Sequence, residues 1–177
     1  VDLDEIVRNV QKLLVRIIGE DIQLKSIFNG AGLTVSVDSG QIEQVLINMV
    51  ANARDAMPRG GVITIETSLE RVDTPFVMSQ DNAQPGRYAV ISVSDTGTGM
   101  DEETVKRLFE PFFTTKDVGK GTGLGMAIAY GIIKQHNGFV TVASEVGKGS
   151  TLKVYLPLVD EKSVALDRSE EHTSELQ

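Results

Sequence analysis

Asp95-Thr96-Gly97-Thr98-Gly99 closes a run rich in Val and Ile, and Gly119-Lys120-Gly121-Thr122-Gly123-Leu124-Gly125-Met126 opens a helical one. These two stretches decide how the chain is read. A carboxylate at a strand end, next to side-chain-free backbone, can accept a hydrogen bond from an exocyclic amine while a flat ring lies against the glycines. A glycine-rich helix start exposes successive N–H groups at the positive end of the helix dipole, which suits phosphate. Each motif alone is weak, because Asp-Thr-Gly is also an ordinary turn. The second cluster is not a P-loop, since Gly-Lys-Ser/Thr does not close it. It is not a Rossmann turn either, since Asp117-Val118 is no buried strand.

Upstream, Gln44, Asn48, Asn52 and Asp55 fall at i, i+4, i+8 and i+11, one polar stripe on a helix whose apolar face is Ile42, Val45, Leu46, Met49, Val50 and Ala53. Asparagine competes for backbone hydrogen bonds and is poor in helix interiors, so two on one stripe need a reason. A neutral amide oxygen can ligate Mg²⁺, which otherwise keeps waters and phosphate oxygens; the plainer alternative is a solvated face. Lys116 and Lys120 could add positive charge near phosphates, although lysines are commonly just surface residues. Glycines on both sides make Met100 to Thr122 read as a mobile lid over a nucleotide, with Phe109, Phe112 and Phe113 clamping it. His136, before Asn137-Gly138, reads as a helix C-cap.

The remaining elements follow from periodicity. Val1 to about Glu20 reads as an amphipathic helix, Leu33–Val37 as a strand, and Gln41–Met57 as the asparagine-bearing helix stopped by Pro58-Arg59-Gly60-Gly61. Val62–Thr67 and Tyr88–Ser94 read as strands around a polar excursion, Asp73 to Gly86. Asp101–Phe109 and Gly123–Gln135 read as helices, and Phe139–Ser144 and Ser150–Leu156 as closing strands. No internal repeat is visible. The pattern predicts an α/β (α+β) two-layer sandwich.

Composition narrows the function. The 177 residues are 41% apolar and 24% charged, ordinary for one globular domain. A net charge of -8 argues against broad nucleic-acid or anionic-membrane binding. With no Cys there is no disulfide, thiol nucleophile or zinc-thiolate site, which fits a cytoplasmic setting. No apolar run approaches the roughly 18–20 residues of a membrane span, although a parent protein could still be membrane-anchored. Arg168 to Gln177 reads as the in-frame translation of a sequencing-library adapter and is excluded from fold reasoning.

In order, Asn48–Asn52, Asp95–Gly99, Phe109–Phe113, Gly121–Gly125 and Gly147–Thr151 resemble the N, G1, F, G2 and G3 boxes of the sensor histidine kinase catalytic domain, the GHKL or HATPase_c superfamily. That resemblance implies the Bergerat ATP-binding fold: a mixed, mostly antiparallel sheet with helices on one face and a lid. It implies ATP and Mg²⁺ as cofactors, with Asn48 on the metal and Asn52 beside the phosphates. Asp95, Gly97, Gly99 and Thr151 would then lie about the adenine. Lys116, Gly121, Thr122, Gly123, Leu124, Gly125 and Met126 would lie about the phosphates. Related gyrase, MutL and chaperone ATPases carry a glutamate in the place of Gln44; glutamine is no general base, which favours transfer over hydrolysis. Many histidine kinases carry Lys in the place of Asp55, so Asp55 is given no role.

The expected organisation is a helix over residues 1–20 linking from a missing dimerisation and phosphoacceptor domain, the ATP-binding domain over residues 21–160, and a tail over 161–177. The expected function is a protein-histidine kinase module that donates the ATP γ-phosphate to a histidine on that separate domain, for relay to a response-regulator receiver domain. No residue of this chain is expected to be catalytic in itself. The alternatives are a nucleotide-binding regulatory module without phosphotransfer, a GHKL-type ATPase, and a single-domain serine kinase of the anti-sigma type.

Overall fold

The computed structural model describes residues 1–30, 32–73, 83–114 and 123–159. The Leu3–Ile18 helix (α1) starts at Asp2, whose carboxylate accepts from the Asp4 N–H, and ends at Gly19 with φ 78°. Its apolar spacing puts Leu3, Ile6, Val7, Val10, Leu14 and Ile18 into the core. Ile22–Phe28 forms β1, and Ser39–Asp55 forms α2, capped by the Asp38 carboxylate on the Gln41 N–H. The hairpin Gly61–Val72 (β2) and Gly86–Asp95 (β3) follows, then the short Glu102–Arg107 helix (α3) and Gly125–Gln135 (α4). Phe139–Glu145 (β4) and Gly149–Pro157 (β5) complete the fold.

The five strands form one sheet in the order β1-β2-β3-β5-β4. Only β1 and β2 are parallel, which requires a crossover element, and α2 supplies it. All other neighbours are antiparallel. Helices α1, α2 and α4 cover one face, where Ile63, Ile65, Ile91, Val93, Leu152, Val154 and Leu156 alternate inward. This is the expected two-layer sandwich. Leu46 is fully buried on α2, so Leu46→Ala would cost about 2–5 kcal/mol. On the opposite face, Tyr88, Phe139 and Tyr155 form a smaller aromatic cluster.

One strand expectation needs correcting, and one strand was not expected. Leu33–Val37 is not a sheet strand: it makes only single bridges, Thr34 to Asp2 and Val35 to Leu158. Its alternation is real, since Leu33 and Val35 are buried, but its backbone bonds run to the two ends of the domain rather than to a ladder. The strand that pairs with β2 is Ile22–Phe28, where Ser26 on the half-buried face and Ile27 on the exposed face break the polar alternation, as an only partly covered edge strand allows. Also, α1 contributes to the same core as α2 and is a wall of the sandwich. Expectations on residues 74–82, 115–122 and 160–177 lie outside the described residues; these include Lys116, Gly121, Thr122 and the adapter-like tail. No described helix is long and apolar enough to cross a membrane.

Candidate functional site

One cavity of about 400 Å³ opens between α2, the end of β3, the 98–114 segment and the start of α4. That volume is within the usual range for small-molecule sites. The polar stripe of α2 faces it with Asn48, Asn52 and Asp55, while the apolar stripe of the same helix is buried. The helix therefore sorts its residues as the sequence periodicity predicts.

Asp95 ends the central strand and lines the cavity although it is only 9% exposed. Burial raises its pKa above the ordinary carboxylate value; hydrogen bonds from the Gly97 and Ser150 backbone amides pull the other way without cancelling the rise. The Gly97 N–H donates to Oδ1 at 2.9 Å. Asp95 pairs across the sheet with Ile63 on one side and Ser150 on the other, and Ser150 pairs with Ser144 on β4. These four residues make a single row at the end of the sheet.

The glycines near Asp95 are required by the protein's own backbone. A Cβ on Gly97 would come within 2.5 Å of the Ala56 carbonyl oxygen, and one on Gly99 would collide with the Glu145 carbonyl, where φ is also +71°. Gly99 lines the cavity; Gly97 lies behind the wall and packs against the end of α2.

At the other glycine cluster, α4 begins after Leu124, and no side-chain hydrogen bond caps its start. Gly123, Gly125 and Met126 line the cavity, and a Cβ on Gly125 would meet nothing within 4 Å. Leu124 starts the helix without lining the cavity. Asn48 spans the gap: its amide nitrogen donates to the Gly125 carbonyl at 2.9 Å, and its amide oxygen accepts from Gln44 Nε2 at 2.7 Å.

The 100–114 segment forms the remaining wall with Met100, Thr104, Leu108, Phe113 and Thr114. Of its phenylalanines, Phe109 stacks on Tyr130 of α4 with ring centroids 5.1 Å apart. Phe113 lies under the Arg107 guanidinium, and Phe112 is 74% exposed. The aromatic clamp is therefore Phe109, with Phe112 facing outward.

Thr151 does not line the cavity. Strand alternation turns it to the face away from the helices, where its hydroxyl bonds Ser94 at 2.9 Å. The cavity receives its neighbour Ser150 instead. The period-two rule places Ser150 on the face of Leu152, Val154 and Leu156, and packing of the sheet decides that this face meets the helices and the cavity. Arg54 also lines the cavity; it pairs with Asp55 at 3.2 Å and donates to the Ile17 carbonyl at 3.1 Å. Arginine in the last turn of a helix reads as dipole compensation and gives no signal of a site. His136 caps α4 as expected and does not line the cavity.

Residues 37–160 match the family described as histidine kinase-, DNA gyrase B-, and HSP90-like ATPase. The chain belongs to this family. Within it, the likeness is to histidine kinases. The sensor kinase CckA of Brucella abortus is 49% identical over 164 residues, covering 91% of this chain and 17% of that protein. The catalytic domain of histidine kinase ThkA is 30% identical with a TM-score of 0.68, covering 89% of this chain and 93% of that domain. Full-length ShkA in complex with AMPPNP is 26% identical with a TM-score of 0.70, covering 90% of this chain and 30% of that one. The chain spans 17% to 33% of the length of CckA and of sporulation kinase C of Bacillus subtilis. It is an ATPase domain of the histidine-kinase type, and its sheet is mixed and mostly antiparallel, as the family resemblance implied.

Proposed function

We propose that this domain binds Mg-ATP in the cavity and donates the γ-phosphate to a histidine on a separate dimerisation domain. A receiver-domain aspartate of a response regulator then takes it. The observation that carries the reading is one cavity walled by a buried carboxylate, an amide stripe and a glycine-bearing helix start. Asp95 accepts from the adenine 6-amine. The N-terminus of α4 receives phosphate oxygens, with Asn52 alongside. Among the described residues no cluster of three or more His, Asp or Glu could hold a metal ion, which fits a cation that arrives with its phosphates and takes one neutral ligand from the protein. Asn48 Oδ1 is that ligand, once the Gln44 amide yields it. Bound there, Mg²⁺ would neutralise charge on the transferring group.

In the transfer, the lone pair of an imidazole nitrogen attacks the γ-phosphorus, the bond to its bridging oxygen breaks, ADP leaves with that electron pair, and the proton of the other ring nitrogen passes to water. Gln44 supports transfer over hydrolysis, because an amide engaged with Asn48 cannot take a proton from water. The AMPPNP complex of ShkA, which holds an adenine nucleotide, is consistent with the base assignment. Helix α1 serves both as the first wall of the sandwich and as the attachment to the dimerisation domain, and the working compartment is the ATP-supplied cytoplasm.

Titration calorimetry of the chain with Mg-ATP and Mg-ITP, which differ at the purine 6-position, tests the base assignment. ATP should bind more tightly, and Asp95→Asn should weaken it at least about tenfold, the scale of a charge-assisted hydrogen bond. Equal affinities for ATP and ITP would sink it. For the transfer, γ-labelled ATP should label a parent dimerisation domain supplied in trans, and no label on that domain's histidine would reject it.

A further inference from the structure

The row of residues at the end of the sheet continues past Ser150 to Ser144 of β4, outside the cavity wall. Three polar groups converge on the Ser144 hydroxyl. The Met100 N–H donates to Oγ at 2.7 Å, the Gly149 carbonyl oxygen lies at 3.2 Å, and Ser150 Oγ lies at 2.7 Å. A hydroxyl has one hydrogen and two acceptor lone pairs. A carbonyl can only accept, so the Gly149 contact takes the single Ser144 hydrogen. The N–H of Met100 can only donate, so it takes one lone pair. With those two contacts made, the remaining lone pair accepts the hydrogen of Ser150. The reverse arrangement, with the Ser144 hydrogen on Ser150, leaves the Ser144 and Gly149 oxygens 3.2 Å apart with no hydrogen between them.

We propose that Ser144 is a positioning residue for base selection: it draws the Ser150 hydrogen away from the cavity, so Ser150 presents only a lone pair beside the Asp95 carboxylate. The wall around the 6-position is then built of acceptors. It suits the two hydrogens of a 6-amino group and opposes a 6-oxo group. This rests on Asp95 as the base-recognising residue. The same hydroxyl anchors Met100, the residue at the root of the 100–114 wall, so base recognition and that wall share one hydrogen-bond centre.

The test is the ratio of Mg-ATP to Mg-ITP affinity, read by calorimetry on the whole chain. Ser144→Ala releases the Ser150 hydrogen to turn inward and donate to a 6-oxo group, so the preference for ATP should fall about threefold to tenfold. Ser144→Thr keeps the hydroxyl and should restore it. In a Ser150→Ala background, Ser144→Ala should change the ratio no further. A structural role alone would weaken both nucleotides together, and an unchanged ratio in Ser144→Ala overturns the proposal. If that variant fails to fold, Ser144→Cys keeps the volume with weaker hydrogen bonding and must also lower the ratio, or the proposal falls. A wild-type chain with no ATP preference would reject the Asp95 assignment instead, so the two failures are distinct.

Discussion

The amide nitrogen of Asn48 donates to the carbonyl oxygen of Gly125 at 2.9 Å, tying the middle of α2 to the first turn of α4. One residue thus links two helices that frame the cavity, while its oxygen accepts from Gln44 Nε2 at 2.7 Å.

Asn48→Ala should separate these roles. Loss of one partly buried hydrogen bond should lower apo stability by about 1 kcal/mol, a shift of a few degrees. ATP affinity should lose its dependence on Mg²⁺, measured by titrations with Mg²⁺ and with EDTA. A collapse of the apo fold would leave Asn48 as a structural tie only.

Acidification should act through Asp95. Its folded-state pKa is raised by burial, so the protonated form favours the folded apo chain. That contribution is full below the unfolded value and is lost as pH rises through the folded one. Asp95→Asn cannot ionise, so its thermal midpoint relative to wild type should be highest near neutrality and should fall as pH drops to about 4. ATP needs the carboxylate, so wild-type affinity should decline at a higher pH than an ordinary Asp would give. Scanning calorimetry and titrations across that range read both trends.

His136 should be structural. Its Nε2 lies 3.2 Å from the Asp38 N–H and accepts from it, which leaves the hydrogen on Nδ1 to donate to the Ile132 carbonyl at 2.8 Å. Both ring nitrogens are thereby occupied, joining the end of α4 to the start of α2. His136→Ala should cost about 1–2 kcal/mol of stability and leave ATP affinity unchanged. Incubation with γ-labelled ATP should leave His136 without acid-labile label.

Two glycines should fail in opposite ways. Gly97→Ala drives a Cβ to 2.5 Å from the Ala56 oxygen and should cost at least about 2 kcal/mol of apo stability. Gly125→Ala meets open space and gains helix propensity, so apo stability should hold or rise by up to about 1 kcal/mol. Its methyl would lie at the cavity wall, so ATP affinity should drop. Denaturant melts and calorimetry on both variants decide the pair.

Most helices and strands were legible because their faces differ sharply in polarity. The α2 stripe is the clearest case: Ile42, Val45, Leu46, Met49 and Val50 fix which way the helix rolls, and Asn48 and Asn52 must then face outward to the site. Asp95 was legible because a carboxylate ending an apolar strand has few places to go. Edge strand β1 was not, since partial cover tolerates Ser26 on its inner face and Ile27 on its outer face and blurs the alternation.

The sequence by itself determined the two-layer class, the asparagine stripe, the strand-end carboxylate, the glycine-rich helix start and the C-cap role of His136, all local consequences of periodicity and side-chain chemistry. Only the tertiary structure decided contacts between segments distant in sequence. These are the crossing of the Gly97 and Gly99 backbones with Ala56 and Glu145, the place of Arg54 in the cavity wall, and the choice of Ser150 over Thr151. The physical reason is that a single-residue step in a strand reverses the side chain's face, and which face meets the helices is set by packing of the whole sheet.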